Sequence, residues 1–247
     1  VRRNTLKYTA MLVTLALLAY NEGDTIAQTM RDAAAQLQAD FQDGEWEILI
    51  IDDGSRDQTP DICRQLADES ANVRVFHHNP NRGYIEATLS ALREANGEFI
   101  CVFDGDGQHS AADVARFVEK LQSGDDIVFG WKKQRCDAAG RLLLTRGLRL
   151  AARLLLGSPL HDINAGCRGY RKEHVEKLSV IKYRLNFVGP ELYVRARLHD
   201  LRIGEIVVQH APRESGESSH PITKIPGEVL QVLRYLWALR RELKTAD

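Results

Sequence analysis

Between residues 10 and 130, five short apolar runs stand apart: AMLVTLALLA (10 to 19), WEILII (46 to 51), VRVF (73 to 76), EFICVF (98 to 103) and DIVFG (126 to 130). Segments with helical spacing of their apolar residues separate them, near 26 to 37, 60 to 67, 84 to 95 and 111 to 121. A strand that is apolar on both sides must be covered on both faces, and an intervening helix returns the chain so that successive strands run parallel. The alternation therefore predicts an α/β fold, a mostly parallel central sheet with helices on both faces. Ligands of such sheets bind beyond the carboxyl ends of the strands.

After residue 130 the pattern turns irregular. A Leu/Arg-rich amphipathic segment (141 to 156) is followed by a loop, HDINAGCRGY (161 to 170), a strand over IGEIVVQ (203 to 209) and a second amphipathic helix (227 to 244). No internal repeat or low-complexity segment occurs. The 247 residues suit one large domain in two halves, 1–130 and 131–247. Charge divides along the same line. Residues 1 to 130 hold 11 Lys and Arg against 22 Asp and Glu, and residues 131 to 247 hold 22 against 12. An acidic half suited to cations is thus joined to a basic half suited to anions. With only 7% aromatic residues the basic half makes no base-stacking platform, and nucleic acid is not an expected partner.

Cys63, Cys101, Cys136 and Cys167 form no CxxC or metal-finger spacing, which fits a reduced, cytoplasmic chain. The stretch VRRNTLKYTAMLVTLALLAYNE imitates a secretory or twin-arginine signal. No small-residue cleavage site precedes Tyr20, however, and cleavage there would remove the first strand. No apolar run approaches the ~20 residues that span a bilayer.

Three strand ends carry polar clusters: Tyr20-Asn21-Glu22, Asp52-Asp53-Gly54-Ser55 and Asp104-Gly105-Asp106. A calcium loop begun at Asp104 would need Gly at its sixth position and Glu at its twelfth. His109 and Ala115 stand there, so that reading fails. An Asp-Gly turn is the simpler alternative, but it leaves two acids repelling one another directly after a buried strand. A hard divalent ion relieves the repulsion and keeps positions open for phosphate oxygens. A carboxylate such as Asp52 also suits a base edge or ribose, and Asp57 suits a helix cap. Neither GxGxxG nor GxxxxGK[ST] follows a strand, which removes the main support for dinucleotide and P-loop readings. His77, His78, His109 and His161 form no metal-binding pattern.

In order and spacing, these motifs resemble family 2 glycosyltransferases, in particular the polyprenyl-phosphate (dolichyl-phosphate) mannose/glucose synthase branch. The likeness rests on Tyr20-Asn21-Glu22, Asp52-Asp53-Gly54-Ser55 with Asp57 and Thr59, Asn81-Arg82-Gly83, and Asp104-Gly105-Asp106-Gly107-Gln108-His109. It continues through Gly130-Trp131-Lys132, Arg141 to Thr145, Asp162 to Tyr170, Phe187 to Glu191 and Arg213 to Ser218, covering about residues 11 to 220. The resemblance implies a GT-A fold and Mg²⁺- or Mn²⁺-dependent, inverting transfer of a hexosyl or N-acetylhexosaminyl group. The donor would be a GDP- or UDP-linked sugar and the acceptor a polyprenyl phosphate.

Carried over residue by residue, the resemblance puts Ala19, Tyr20, Glu22, Asp52, Asp53, Gly83, Asp104, Gly105 and Asp106 on the donor, with Asp52 facing the base. Asp104, Asp106 and Gln108 would hold the metal. Lys132, Arg141, Thr145 and Arg168 would meet the acceptor phosphate, and Arg213 would reach the reaction centre from a closing loop. Asp106, Glu191, Asp162 and Arg213 form the catalytic set. If the acceptor is instead a hydroxyl on a glycan, lipid or small metabolite, Glu191 or Asp162 becomes the base. Both suit equally a loop-ordering pair with an arginine such as Arg168. A third reading is a non-catalytic nucleotide-sugar binding protein.

The chain departs from the family pattern at Leu18 (often Pro), Gly105 and Gly107 (usually Ala and Leu), Ser110-Ala111 (often paired Pro), Lys132 (usually Arg) and Ser219 (often Lys). Segments 141–156 and 227–244, with arginines beside leucines and Trp237, either pack into the core or lie at a membrane interface. Expected localisation is the cytoplasm or the cytoplasmic face of the membrane. Nothing in the residues indicates an oligomeric state.

Overall fold

The structure, a computed structural model, describes residues 11–133, 139–183, 185, 187–211 and 225–246. Seven strands form one sheet: β1 (Val13–Ala19), β2 (Trp46–Asp52), β3 (Val73–His77), β4 (Phe99–Asp104), β5 (Ile127–Trp131), β6 (Cys167–Arg171) and β7 (Ile203–Val207). Their order is β3-β2-β1-β4-β6-β5-β7, with β6 antiparallel to both neighbours and the other strands parallel. Every residue of β1 and β2 is buried, as two-sided coverage demands. The apolar run that imitates a signal sequence is the middle of the parallel block, β1.

The two faces of the sheet make two cores. Leu15, Leu17, Cys101 and Phe103 pack under α1 (Ile26–Asp40), α2 (Thr59–Glu69) and α4 (Ala112–Gln122). Ala16, Leu18, Ile100 and Val102 pack under α3 (Tyr84–Glu94), α5 (Ala139–Leu156), α7 (Val188–Leu198) and α8 (Ile225–Ala246). A 3-10 turn (Lys172–His174) and the short α6 (Val175–Leu178) join β6 to the segment before α7.

The expected loop over 161 to 170 is a loop only in its first part. Cys167–Arg171 forms β6 in the middle of the sheet, pairing Phe103 with Cys167 and Phe129 with Arg168. Its sequence, CRGYR, hides this because the strand buries an arginine and a glycine in place of aliphatic residues. At Gly169 an added Cβ would lie 2.9 Å from Phe117 Cδ1, so α4 sits too close for any side chain. The loop ahead of β6 is tied to β7, whose Glu205 accepts from His161 N at 2.7 Å, Asp162 N at 3.2 Å and His161 Nδ1 at 2.7 Å. Because β6 and β7 flank β5, one sheet runs across the 130/131 boundary.

Candidate functional site

The carboxyl ends of β1, β2 and β4 are laced together by their own backbone. Asp53 N donates to Ala19 O at 2.9 Å and Gly105 N donates to Leu18 O at 2.8 Å, which sets the three polar motifs side by side. The loops beyond are stitched as well: Asn21 N donates to Ser55 Oγ, Arg56 N to Asn21 Oδ1 and Glu22 N to Thr59 Oγ1. Tyr20 lies exposed at this edge. Gly105 sits so close to β1 that an added Cβ would lie 2.8 Å from Leu18 O, so the glycine in this family position fits the packing here.

Asp52 and Asp53 are both buried and do different things. Asp52 Oδ1 accepts from Ser55 N at 3.1 Å, and Oδ2 lies 2.9 Å from Nδ1 of the partly exposed His77. Asp53 is saturated. Oδ1 meets His78 Nδ1 at 2.6 Å and Arg82 N at 2.9 Å, while Oδ2 accepts from Gly83 N at 2.8 Å and Asn81 Nδ2 at 2.9 Å. With its four lone-pair sites filled, Asp53 orders the 81–83 loop and has none left for a ligand. Gly83 takes φ +86 at the N-cap of α3.

Asp104 is the electrostatic centre. Burial first, and then the Asp106 charge, push its carboxyl up to about 6 against the pull of Lys132 and Arg168 and a hydrogen bond from Tyr84. Its Oδ1 is buried with no hydrogen-bond partner. A buried orphan oxygen beside a second carboxylate is a fit for a cation. Among the described residues no group of three or more His, Cys, Asp or Glu encloses an ion. Asp104 and Asp106 are thus two carboxylates, short of a closed site, and Gln108 is their polar neighbour along the loop. Asp106 Oδ1 accepts from Gln108 N at 3.1 Å, and Gln108 Nε2 donates to Ala211 O at 3.1 Å, leaving the amide oxygen as that side chain's acceptor.

Among the expected acceptor and catalytic residues, Lys132, Arg168 and Asp162 act by charge on the same thiol as Asp104, that of Cys167. Lys132 follows β5 and acts on Asp104 by its charge. Arg168 is 1% exposed behind Asp104, with Nη1 3.5 Å from Tyr84 Oη, a buried guanidinium and not a surface cation. Glu191 is fully buried, accepting from Lys182 N at 2.7 Å, Tyr183 N at 3.1 Å and Arg195 Nη2 at 3.0 Å. Its arginine partner is therefore Arg195, one helical turn along α7, in place of the expected Arg168. Asp162 is buried in the loop held by Glu205. Arg141 and Thr145 lie on α5 where side chains are outside the described residues, and Arg213 and Ser219 lie outside them altogether.

One neighbour of the 104–109 motif escaped the sequence reading. His210 pairs by a β-bridge with His109, their rings 5.7 Å apart, and Ala211 N donates to Gln108 O at 2.9 Å. The signal was present, because His210 follows a strand whose carboxyl end lies on the same edge as the acids. A cavity of about 770 Å³ opens beside it, between α1 and the 106–112 loop, with Asp106, Gln108, His109 and His210 on one wall. It lies on the α1 side of Asp106, and Ala19, Asp52, Gly83 and Asp104 do not line it.

The profile of Glycosyl transferase family 2 matches residues 14–179. Among curated relatives, the undecaprenyl-phosphate 4-deoxy-4-formamido-L-arabinose transferase of Pseudomonas fluorescens (strain SBW25) is 29% identical over 220 residues, 88% of this chain and 62% of its own. That of Pseudomonas aeruginosa (strain LESB58) is 31% identical over 221 residues, 88% of this chain and 63% of its own. The chain therefore spans less than two thirds of the length of these relatives. Among solved structures, glucosyl-3-phosphoglycerate synthase from Mycobacterium tuberculosis with phosphoglyceric acid superposes with a TM-score of 0.68 at 20% identity, covering 93% of this chain and 80% of that one. Its complex with Mn²⁺, UDP and glucosyl-3-phosphoglycerate gives 0.65 at 19% identity, covering 94% and 80%. At such identity the likeness is one of fold, and that fold is GT-A.

Proposed function

The chain belongs to glycosyl transferase family 2, and from that premise we propose that it is a metal-dependent, inverting enzyme that moves a sugar from a nucleotide-diphosphate donor to a polyprenyl phosphate. The observation that carries the donor side is Asp104, whose orphan buried oxygen and repelling neighbour Asp106 call for a cation. Asp104, Asp106 and Gln108 would hold Mg²⁺ or Mn²⁺. An ion bound there would offset the charge that develops on the leaving diphosphate. Asp52 and the exposed His77 beside it would face the base. The backbone of 81–83 and the first turn of α3 would lie against the donor, with Asp53 acting through that loop.

An acceptor phosphate already carries its charge, so it needs positioning by cations more than a strong base. This agrees with a Glu191 whose carboxylate is occupied by Lys182, Tyr183 and Arg195, and with the net positive charge of residues 131 to 247. The relatives named for undecaprenyl-phosphate transfer support the same acceptor class. Lys132, Arg141, Thr145 and Arg213 would contact the phosphate, and Arg168 would act from behind Asp104. The buried thiols of Cys63, Cys101 and Cys167 fit a reducing compartment, the cytoplasmic side of the membrane.

Calorimetry of UDP, GDP and their sugars with Mn²⁺, followed by transfer to undecaprenyl phosphate, tests the proposal. Transfer should require the ion and vanish in Asp106→Ala. Asp162→Asn should lower turnover less than about tenfold, against the 10²- to 10⁴-fold of a lost general base. Loss of nearly all turnover in folded Asp162→Asn would move the acceptor to a hydroxyl. Failure of every nucleotide diphosphate to bind would overturn the donor assignment.

A further inference from the structure

Behind the donor edge lies a chain of polar side chains that the chemistry above does not use. Asp53 Oδ1 is 2.6 Å from His78 Nδ1, His78 Nε2 is 2.9 Å from Ser90 Oγ, and Arg93 Nη2 donates to Ser90 Oγ at 3.1 Å. The order Asp-His-Ser is that of a nucleophilic triad, but His78 is 3% and Ser90 2% exposed, so no substrate reaches the hydroxyl. The Asp53 carboxylate accepts, so His78 donates from Nδ1, while Nε2 meets the Ser90 hydroxyl, whose oxygen also accepts from Arg93.

The far end of this relay points at the site. The carboxylate that His78 holds also takes the backbone N–H groups of Arg82 and Gly83 and the Asn81 amide. The 52–55 loop is flush against the same segment, for a Cβ at Gly54 would lie 2.6 Å from Asn81 N. Rotation of the Asp53 carboxylate would therefore release two backbone N–H groups at the mouth of α3. A carboxylate can rotate about its terminal bond, and the hydrogen bond from the buried His78 imidazole restrains that freedom.

We infer that His78, through its Nδ1 contact, is a positioning residue for the nucleotide donor, fixing Asp53 and through it the 81–83 backbone. The inference rests on the donor assignment above, and the test separates the two. His78→Asn keeps a donor near Nδ1 and loses Ser90; His78→Gln reaches Ser90 and loses Asp53. For UDP and GDP with Mn²⁺, measured by calorimetry, His78→Gln should weaken affinity about tenfold, with His78→Asn within about threefold of the parent. Amide exchange should quicken at Arg82 and Gly83 in His78→Gln while β1 and β4 stay protected. In transfer assays the donor KM should rise with the lipid-phosphate KM unchanged. Equal donor affinity in His78→Gln and His78→Asn, or unchanged exchange at Arg82 and Gly83, overturns the inference while leaving the donor assignment standing. A parent protein that binds neither nucleotide takes both down.

Discussion

At Gly166 an added Cβ would fall 2.0 Å from Asp104 Oδ2 and 3.1 Å from His109 Nε2, so the absence of one methyl group decides where the central carboxylate can point. Gly166 O also accepts from Asp104 N, at 3.2 Å, which leaves the backbone no room to yield. Gly166→Ala is expected to cut Mn²⁺-dependent nucleotide affinity at least about tenfold by turning Asp104 away from the site, read by calorimetry. Gly147, on α5 with nothing within 4 Å of an added Cβ, is the contrast. Gly147→Ala should leave affinity alone and stabilise the helix by roughly 0.5–1 kcal/mol, read by thermal or denaturant melts. The acids themselves were legible as residues at strand ends. The glycine that aims one of them was not, because its reason is a contact across the sheet.

Among the helices, α7 and α8 are joined by charges. Arg195 bridges Glu191 at 3.0 Å and Glu242 at 2.7 Å, and Lys182 adds a contact to Glu242 at 2.9 Å. Burial raises the Glu242 pKa, but hydrogen bonds from Arg195, Lys182 and Tyr183 outweigh it and hold the carboxyl down to about 2. A depressed acid contributes stability above its unfolded pKa, near 4.5 here, and loses it as pH falls through the folded value. Glu242→Gln should therefore melt roughly 3–6 °C lower than the parent at pH 6. That gap should close between about pH 4.5 and 2, followed by paired thermal melts. A gap independent of pH would mean that the carboxylate charge is not what joins the helices. Helix α8 was readable from its periodicity; α7 was not, since it is buried on nearly every side and carries Gly189 and Pro190 in its first turn.

Across the whole molecule, exposed apolar residues gather on α5 and α8. Leu150 and Leu154 (69% exposed) accompany exposed Arg146 and Arg153 on α5, and Leu230, Leu233 and Trp237 (50% exposed) accompany Arg234 and Arg241 on α8. No helix among the described residues is long and apolar enough to cross a membrane. Leucines flanked by arginines suit an anionic headgroup layer. The protein should cosediment with vesicles containing anionic lipid at low salt, less so at high salt. Joint Leu154→Ser and Trp237→Ser substitution should reduce that binding without altering calorimetric nucleotide affinity; unchanged cosedimentation would remove these helices from any membrane contact. The sequence by itself determined the parallel block and the edge at which its strand-end acids gather, because apolar runs and helical spacing are local and survive without knowledge of neighbours. It also determined which residues could carry charge to that edge. Only the tertiary structure decided that Cys167–Arg171 enters the sheet as β6, that Glu191 answers to Arg195, and that Asp53 is taken up by His78 and the 81–83 backbone. Each of these depends on which buried polar group finds its partner across long stretches of chain, and such pairing is set by packing in three dimensions and leaves no period in the sequence.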